Sequence, residues 1–283
     1  GGSCEAEGNM ERDLLRQLLD DAGATRNRDV LADILRTTYE LAGDGADRLN
    51  LKITRDALKE MRAAFLMYAP YQAIRKVTVF GSARTHRSDP LYNQAVLLSR
   101  KLSEAGWMAV SGAGPGIMEA AIVGAGSERS LGVTIRLPFE EAANEHLADD
   151  QVVSMKYFFT RKLMLMKESS GFVSLPGGFG TQDETFELLT LYQTGKSTPS
   201  PLVLLDVEGG SYWEGWLRFV RDELASNGLI SPADLDMFLV TDDVDEAVAA
   251  VLGFWRNYHS LRWVGSRLVL RLHAEPTADE LVK

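Results

Sequence analysis

The sequence predicts an α/β protein built on a doubly wound parallel sheet, with a helical extension at its N-terminal end. Two observations support this. Residues 11–70 carry leucines at helical spacing among charged residues, and from residue 75 onward short β-rich runs alternate with helical stretches. Such alternation is typical of a parallel sheet with helices on both faces. We therefore expect a Rossmann-like domain preceded by helices.

Residues 11–73 form the predicted helical N-terminal extension. The recurring apolar positions are Leu14, Leu15, Leu18, Leu19, Leu31, Ile34 and Leu35. Gly43, Asp44 and Gly45 interrupt this pattern, and a third helix is predicted to run to Pro70. We expect the extension to pack on the main domain or to make an oligomer contact.

Residues 74–252 form the predicted Rossmann-like domain, which contains seven strands. The strand segments are KVTVF (76–80), MAVSG (108–112), LGVTIRL (131–137), QVVSM (151–155), GFVSL (171–175), PLVLLDV (201–207) and FLVTDD (238–243). Helices are predicted at 91–105, 115–125, 157–169, 182–195 and 213–226. The C-terminal tail, residues 253–283, is rich in aromatic residues and histidines. Its segment RLVLRLH (267–273) is either a late edge strand or a subunit contact.

Composition limits the classes of function. The chain has 283 residues and a formal net charge of −10, which argues against a general nucleic-acid binder but allows local basic groups to bind one anionic small molecule. Cys4 is the only cysteine and the four histidines lack metal-ligand spacing, so we expect neither disulfides nor a metal site. No apolar run approaches the roughly 20 residues of a membrane span, and no signal peptide is recognised, so we expect a cytoplasmic protein.

Three glycine-bearing turns follow predicted strands. They are FGSAR (80–84), SGAGPGIMEAA (111–121) and PGGFGTQDE (176–184). Parallel strands all end at one edge of the sheet, and ligands bind at that edge near a topological switch point. We therefore expect the three turns to lie close together and to form a ligand site.

The first two turns offer several candidate ligand contacts. Ser82 and Arg84 suit phosphate or ribose oxygens, or belong to a solvated loop. Gly112, Gly114 and Gly116 lead into a helix predicted to start near Pro115. In that helix, Met118 and Glu119 either contact a base and a ribose or are a helix filler and a dipole-favoured acid. The glycine spacing fits neither the dinucleotide fingerprint nor a lysine-bearing P-loop, so we expect neither a conventional NAD enzyme nor a P-loop NTPase.

The third turn predicts a phosphate site. Gly177, Gly178 and Gly180 allow close approach to a ligand and positive φ angles. Thr181 stands where a helix N-cap is expected, so free N–H groups and the helix dipole would face a phosphate. The Thr181-x-x-Glu184 spacing also fits a capping box, which leaves Glu184 either a structural cap or a catalytic carboxylate.

A pair of basic residues interrupts the apolar helix predicted at 157–169. The pair is Arg161 and Lys162. Arg161 is either a surface charge extending away from the core or an anion-binding group that faces the glycine turns.

Together, GAGPGIMEAA, the Arg161-Lys162 pair and PGGFGTQDE resemble the Lonely Guy family. These are cytokinin-activating nucleoside 5′-monophosphate phosphoribohydrolases, long mislabelled as lysine decarboxylases. The family motif P-G-G-x-G-T-x-x-E is met by Pro176, Gly177, Gly178, Gly180, Thr181 and Glu184. The resemblance covers about residues 74–255, and the helical N-terminus and aromatic tail are similar to those of the larger bacterial members.

The resemblance implies hydrolysis of the N-glycosidic bond of a nucleoside 5′-monophosphate, of the AMP or cytokinin riboside monophosphate type. It implies that Glu184 acts as the catalytic carboxylate and that Arg161 orients the substrate or that carboxylate. The implied substrate-binding residues are Gly177, Gly178, Gly180, Thr181, Ser82, Arg84, Gly114, Gly116, Met118, Glu119 and Lys162. No metal or organic cofactor is implied, and a homodimer or higher homo-oligomer is expected.

Two departures from the family pattern bear on specificity. The usual triple-glycine turn reads Gly112-Ala113-Gly114 here, so an extra methyl group is harmless or crowds the ligand. The short enzymes usually carry a histidine shortly before the basic pair, where this chain has Phe159 and Thr160. The alternative function is a nucleotide or molybdenum-cofactor carrier of the same fold that does not hydrolyse its ligand, since fold alone does not determine function.

Overall fold

The computed structural model describes residues 13–136 and 145–277. The chain divides into two compact units, one ending at Leu58 and the other beginning at Lys59. The first unit contains helix α1 (13–21), helix α2 (Arg28–Gly43) and the start of helix α3 (Arg48–Tyr68). Within it, Arg28 joins α1 to α2, because its guanidinium pairs with Asp20 at 2.7 Å and donates to the Ala24 carbonyl.

The second unit is built on a seven-stranded parallel sheet. The strands are β1 (Lys76–Phe80), β2 (Met108–Ser111), β3 (Ser130–Ile135), β4 (Val152–Met155), β5 (Gly171–Ser174), β6 (Leu202–Leu205) and β7 (Leu239–Thr241). Their order is β4-β3-β2-β1-β5-β6-β7, and every pairing is parallel. This confirms the predicted α/β fold with its parallel sheet.

Helices connect the strands and cover both faces of the sheet. They are α4 (Pro90–Glu104), α5 (Ile117–Ala125), α6 (Phe158–Lys167), α7 (Phe179–Gln193), α8 (Tyr212–Phe219, continued by a π-helical stretch at Val220–Ala225) and α9 (Val244–Asn257). Successive residues of β5 show the two faces, since Phe172 belongs to the core on one side and Val173 to the core on the other. The doubly wound arrangement is therefore confirmed. None of the helices among the described residues is both long and apolar enough to span a membrane.

The strand order reverses beside β1. From β4 to β1 the order runs against the chain, and from β5 to β7 it runs with the chain. β1 pairs with β2 on one side and with β5 on the other, with Phe80 opposite Ser174 at the end of β5. The three glycine turns thus follow three adjacent strands, and two of the turns flank the topological switch point, where open α/β sheets bind ligands.

The C-terminal tail contains an antiparallel hairpin. Strand β8 (Tyr258–Val264) pairs with β9 (Arg267–Leu272) in a separate two-stranded sheet, and Gly265 takes the positive φ that the turn requires. RLVLRLH is therefore a strand, and it pairs with β8 and not with the main sheet. We did not predict β8, although residues 260–263 alternate between polar and apolar side chains.

Candidate functional site

A cleft of about 810 Å³ opens where β1, β2 and β5 end. Its size falls in the range typical of small-molecule sites. The lining residues are Val79, Phe80, Gly81, Ser82, Ala83, Arg84, Gly112, Met118, Arg161, Gly177, Gly178, Phe179, Gly180, Thr181, Gln182, Glu184 and Tyr212. All three glycine turns therefore contribute to one cleft.

Helix α7 begins earlier than the sequence predicts. Its first residue is Phe179 and its N-cap is Gly178, which makes Thr181 the third helical residue. The predicted capping box of Thr181 and Glu184 is therefore wrong. The Thr181 hydroxyl packs instead against Gly177, where a Cβ would lie 2.2 Å from Thr181 Oγ1. A side chain at Gly177 would displace Thr181 from the wall of the cleft.

The start of α7 presents a row of free N–H groups. The first helical hydrogen bond runs from Gln182 N to the Gly178 carbonyl at 3.1 Å. In the part of the chain that the structure describes, the N–H groups of Gly178, Phe179, Gly180 and Thr181 have no acceptor. We call these four groups the anion cradle, because free N–H groups and the helix dipole together favour an anion.

The glycines of the third turn do not adopt the positive φ angles that we predicted. None of Gly177, Gly178 and Gly180 is among the residues with positive φ, and Gly178 has a φ of −84°. Gly178 and Gly180 have open space where a Cβ would stand. Their contribution is access, since the bare backbone lets a ligand approach the cradle closely.

The second turn is held against the first by main-chain contacts. Helix α5 begins at Ile117, with Gly116 as its N-cap at φ 69°, so Pro115 precedes the helix instead of starting it. A Cβ at Gly116 would lie 2.3 Å from the Ser82 carbonyl oxygen, which accepts a 3.0 Å hydrogen bond from Ile117 N. A Cβ at Gly114 would lie 2.7 Å from Met118 Cε. Gly114 and Gly116 thus shape the turn without lining the cleft.

The backbone of Ser82 joins all three turns. Besides the bond from Ile117 N, the Ser82 N–H donates to the Pro176 carbonyl at 3.2 Å. The Ser82 hydroxyl accepts from Arg84 N at 3.1 Å. Ser82 and Arg84 both line the cleft, so this corner of the site is shaped by main-chain bonds and carries one cationic side chain.

Arg161 is buried at the floor of the cleft. Its side chain is 11% exposed, and its Nε donates to the Val133 carbonyl of β3 at 2.9 Å. A Cβ at Gly112 would lie 2.0 Å from Arg161 Nη2, so only glycine leaves room for the guanidinium. Burial lowers the pKa of Arg161, while the nearby Glu184 acts to raise it. The interpretation of Arg161 as a surface charge is therefore excluded.

Glu184 faces Arg161 across the floor of the cleft. Its side chain is 13% exposed, and its Oε1 lies 3.7 Å from Arg161 Nη1. Burial raises the pKa of Glu184 to about 7, because the opposing effect of the Arg161 charge is smaller. A carboxyl group that titrates near neutral pH can exchange protons with a bound ligand.

Two charged residues predicted to contact the ligand lie outside the cleft lining. Lys162 Nζ pairs with Asp183 at 2.7 Å and with Glu187 at 2.9 Å. Glu119 pairs with Arg87 and with His146, and the hydrogen bond from Arg87 is the main cause that lowers the pKa of Glu119. Of the residues predicted in that first turn of α5, only Met118 reaches the cleft, where its Sδ lies 3.9 Å from Arg161 Nη2.

Tyr212 and Gln182 also line the cleft and were not predicted from the sequence. The Tyr212 hydroxyl donates to the Gly177 carbonyl, and Gln182 Nε2 donates to the Tyr212 hydroxyl at 2.6 Å. Tyr212 is the first residue of α8 and follows Gly209 and Gly210 of the loop after β6, which is the neighbour of β5. A fourth glycine-bearing turn at the same sheet edge was the signal that could have found it.

The extra methyl group of the second turn does not crowd the cleft. Ala113 is buried, has a φ of 52° and is absent from the cleft lining. Its Cβ lies 2.6 Å from the position that a Cβ on Gly132 would occupy. The methyl group therefore faces β3, and the glycine at position 132 makes space for it.

The charges of the cleft suit an anion more than a metal ion. Arg84 and Arg161 are its cationic side chains and Glu184 is its carboxylate. Within residues 13–136 and 145–277, no group of three or more histidine, cysteine, aspartate or glutamate side chains is placed to hold a metal ion. The residues present thus match a ligand that carries both a phosphate and a group able to exchange a proton.

Comparison with known proteins identifies sequence relatives. A family model described as "Possible lysine decarboxylase" matches residues 116–251. The chain is 29% identical over 172 residues to a cytokinin riboside 5′-monophosphate phosphoribohydrolase of Mycobacterium marinum, covering 60% of this chain and 88% of that relative. It is 32% identical over 180 residues to a probable cytokinin riboside 5′-monophosphate phosphoribohydrolase of Oryza sativa subsp. japonica, covering 61% of this chain and 74% of that relative.

Solved structures show a weaker likeness. A molybdenum cofactor binding protein from the phototrophic bacterium Rippkaea orientalis is 17% identical, with a TM-score of 0.43 over 64% of this chain and 97% of that protein. The structural-genomics target TM1055 is 25% identical, with a TM-score of 0.45 over 64% of this chain and 99% of that protein. These TM-scores are too low to support an inference about the ligand.

Proposed function

Since this chain belongs to the Lonely Guy family of phosphoribohydrolases, we propose that it hydrolyses the N-glycosidic bond of nucleoside 5′-monophosphates. The products are a free base and ribose 5-phosphate, and the substrate is of the AMP or cytokinin riboside monophosphate type. One observation carries the proposal: the anion cradle and a carboxyl group of pKa about 7, Glu184, line the same cleft. The cradle suits the 5′-phosphate of such a substrate, and the carboxyl group suits the reaction at its sugar.

In this proposal the 5′-phosphate occupies the cradle. The four N–H groups and the dipole of α7 supply hydrogen bonds and positive potential, and Arg84 adds a cation at the rim. Glu184 lies one and a half turns into the same helix, so a phosphate bound at the helix start fixes the distance between the sugar and the carboxyl group. Such positioning lowers the barrier by removing orientational freedom before the reaction.

Glu184 would act on the reacting centre of the sugar. The C1′–N bond of a nucleoside breaks through a state with oxocarbenium character, which a nearby carboxylate stabilises. A water oxygen forms the new bond to C1′ and passes its proton to Glu184, while the electrons of the broken bond leave with the base, which takes up a proton. Arg161 orients the carboxylate, since its own position is fixed by the Val133 carbonyl.

The predicted substrate contacts have unequal support. The cleft lining supports Gly177, Gly178, Gly180, Thr181 and Met118 as substrate contacts in addition to Ser82 and Arg84. In this proposal Lys162 and Glu119 do not contact the substrate, because both are absent from the cleft lining and form ion pairs outside it. A homodimer or higher homo-oligomer in solution stays a prediction from the family resemblance.

Chromatographic detection of free base tests the proposal. Wild type, Glu184→Gln and Glu187→Gln are each incubated with AMP and a panel of other nucleoside 5′-monophosphates. Glu187 is the matched control, because it lies one turn along α7 and pairs with Lys162 outside the cleft. We expect release by wild type and Glu187→Gln, and a loss of about 100-fold or more in Glu184→Gln.

Two outcomes would contradict the hydrolase proposal. No base from any monophosphate with wild type would exclude it over the range of the panel. Tight binding of a monophosphate without turnover would instead indicate the alternative function, a nucleotide carrier.

A further inference from the structure

A hydrogen-bonded pair of side chains holds one carbonyl of the third turn. The Tyr212 hydroxyl lies 2.5 Å from the Gly177 carbonyl oxygen, and Gln182 Nε2 lies 2.6 Å from the hydroxyl. A carbonyl only accepts, so the single hydroxyl proton must point to Gly177. The hydroxyl oxygen then accepts from Gln182, which fixes the orientation of both side chains.

Tyr212 is itself anchored to strand β6. Its N–H donates to Asp206 Oδ2 at 3.0 Å, and its ring packs edge-on against Trp213 with centroids 4.9 Å apart. The Asp206 carboxylate reaches this position because residue 210 is glycine, where a Cβ would lie 2.3 Å from Asp206 Cγ. The backbone and ring of Tyr212 are thus anchored beside the end of β6, independently of the turn to which the hydroxyl donates.

The carbonyl that Tyr212 holds belongs to a peptide with little conformational restraint of its own. Glycine stands on both sides of the Gly177–Gly178 peptide, so no Cβ opposes its rotation. In a planar trans peptide the carbonyl and the N–H point in opposite directions. A rotation would therefore remove the Gly178 N–H from the cradle and turn a carbonyl oxygen toward the anion. The preceding carbonyl, of Pro176, is already bonded to Ser82 N.

We propose that Tyr212 is a positioning residue for the ligand's phosphate group, acting through the Gly177 carbonyl to keep the Gly178 N–H in the anion cradle. Gln182 supports it by fixing the hydroxyl. The inference rests on the proposed function, since it takes the cradle as the 5′-phosphate site. It assigns to the first residue of α8 a part in recognising the phosphate.

The test measures binding in a background that cannot turn over. Glu184→Gln and Glu184→Gln/Tyr212→Phe are titrated by calorimetry with AMP, ribose 5-phosphate and inorganic phosphate, and adenosine is measured as a competitor of AMP. Tyr212→Phe keeps the ring that packs on Trp213, so the fold is expected to persist, which thermal unfolding checks. Tyr192→Phe is the control, because it removes a hydroxyl near the far end of α7, outside the cleft.

We expect Tyr212→Phe to weaken the binding of AMP and of ribose 5-phosphate by about tenfold, equivalent to about 1.4 kcal/mol. The binding of adenosine should weaken by less than twofold. Tyr192→Phe should change none of them. In the active protein, Tyr212→Phe should raise the KM for AMP by a similar factor and change kcat much less. Gln182→Leu should give a smaller loss of phosphate affinity, because the bond to Gly177 persists.

The outcomes separate this inference from the proposed function. Equal weakening of AMP and adenosine, unchanged AMP affinity in Tyr212→Phe, or no binding of any phosphate by the parent protein would overturn the positioning role. If AMP releases no base but its affinity still depends on Tyr212, the hydrolase proposal fails and the positioning role stands. If AMP releases base and the KM for AMP is unchanged in Tyr212→Phe, the hydrolase proposal stands and the positioning role fails.

Discussion

Replacing Glu184 with glutamine is expected to change the free energy of unfolding by an amount that depends on pH. The change should favour the folded protein more at alkaline pH than at acidic pH. The Glu184 carboxyl is buried beside Arg161, and burial raises its pKa to about 7 from an ordinary value of 4.5. Above pH 7, folding must therefore keep a carboxylate in the protein interior that the unfolded chain would expose to water. A carboxamide of the same shape carries no such charge.

The sign and size of the effect follow from the two pKa values. Because the folded-state pKa is the higher one, the folded protein binds more protons between about pH 4.5 and 7, and the free energy of unfolding decreases as pH rises through that window. Each pKa unit corresponds to about 1.4 kcal/mol, so the full change is about 3 kcal/mol. The attraction between the Arg161 charge and the Glu184 carboxylate opposes the effect of burial and is already contained in the pKa of about 7.

Denaturant unfolding of wild type, Glu184→Gln and Glu187→Gln at pH 5, 7 and 8.5 measures the effect. The stability of Glu184→Gln minus that of wild type should grow by about 2–3 kcal/mol from pH 5 to pH 8.5. For the exposed Glu187, the corresponding difference should stay nearly constant. A Glu184→Gln difference that is the same at all three pH values would refute the burial argument.

Three further predictions concern activity and packing. The kcat/KM for AMP should fall about tenfold per pH unit below pH 7 if Glu184 reacts as the carboxylate; a profile limited only by the phosphate pKa near 6 would contradict this. Gly112→Ala should reduce kcat/KM by about tenfold or more, because the new methyl group meets Arg161 Nη2; wild-type activity would contradict the placement of the guanidinium. Gly132→Ala should destabilise the folded protein by about 1–3 kcal/mol, and adding Ala113→Gly should recover part of that loss. Urea unfolding of the two single variants and the double variant measures this, and additive effects would exclude a contact between positions 113 and 132.

The fold was predictable because its signals are local. Nearly all strands of the main sheet are short apolar runs separated by helical stretches. The rule that parallel strands end at one edge brought the three glycine turns together. The start of α7 was not predictable in the same way. The sequence Thr181-x-x-Glu184 matches a capping box, but Gly178, in an extended conformation, takes the N-cap position instead. Pattern alone does not rank two acceptable N-caps three residues apart.

The partners of charged side chains were the least predictable feature. Glu119 has the position expected of an acid in a first helical turn, and the pattern is equally consistent with a ribose contact. Its actual partners, Arg87 and His146, come from loops distant in sequence. Tyr212 likewise reaches the third turn from the start of α8. Spacing rules describe neighbours along one element, whereas these contacts depend on how the loops of different strands meet.

The joining of all three turns through the backbone of Ser82 has a consequence for mutational scanning. Its N–H and its carbonyl bond to Pro176 and Ile117, and neither bond involves the side chain. A Ser82→Ala variant therefore keeps both bonds, so an alanine scan would report on the hydroxyl and not on the two main-chain bonds. Chemical editing of the main chain, such as an ester in place of the amide at residue 82, would delete the N–H alone and expose how strongly the architecture of the cleft depends on it.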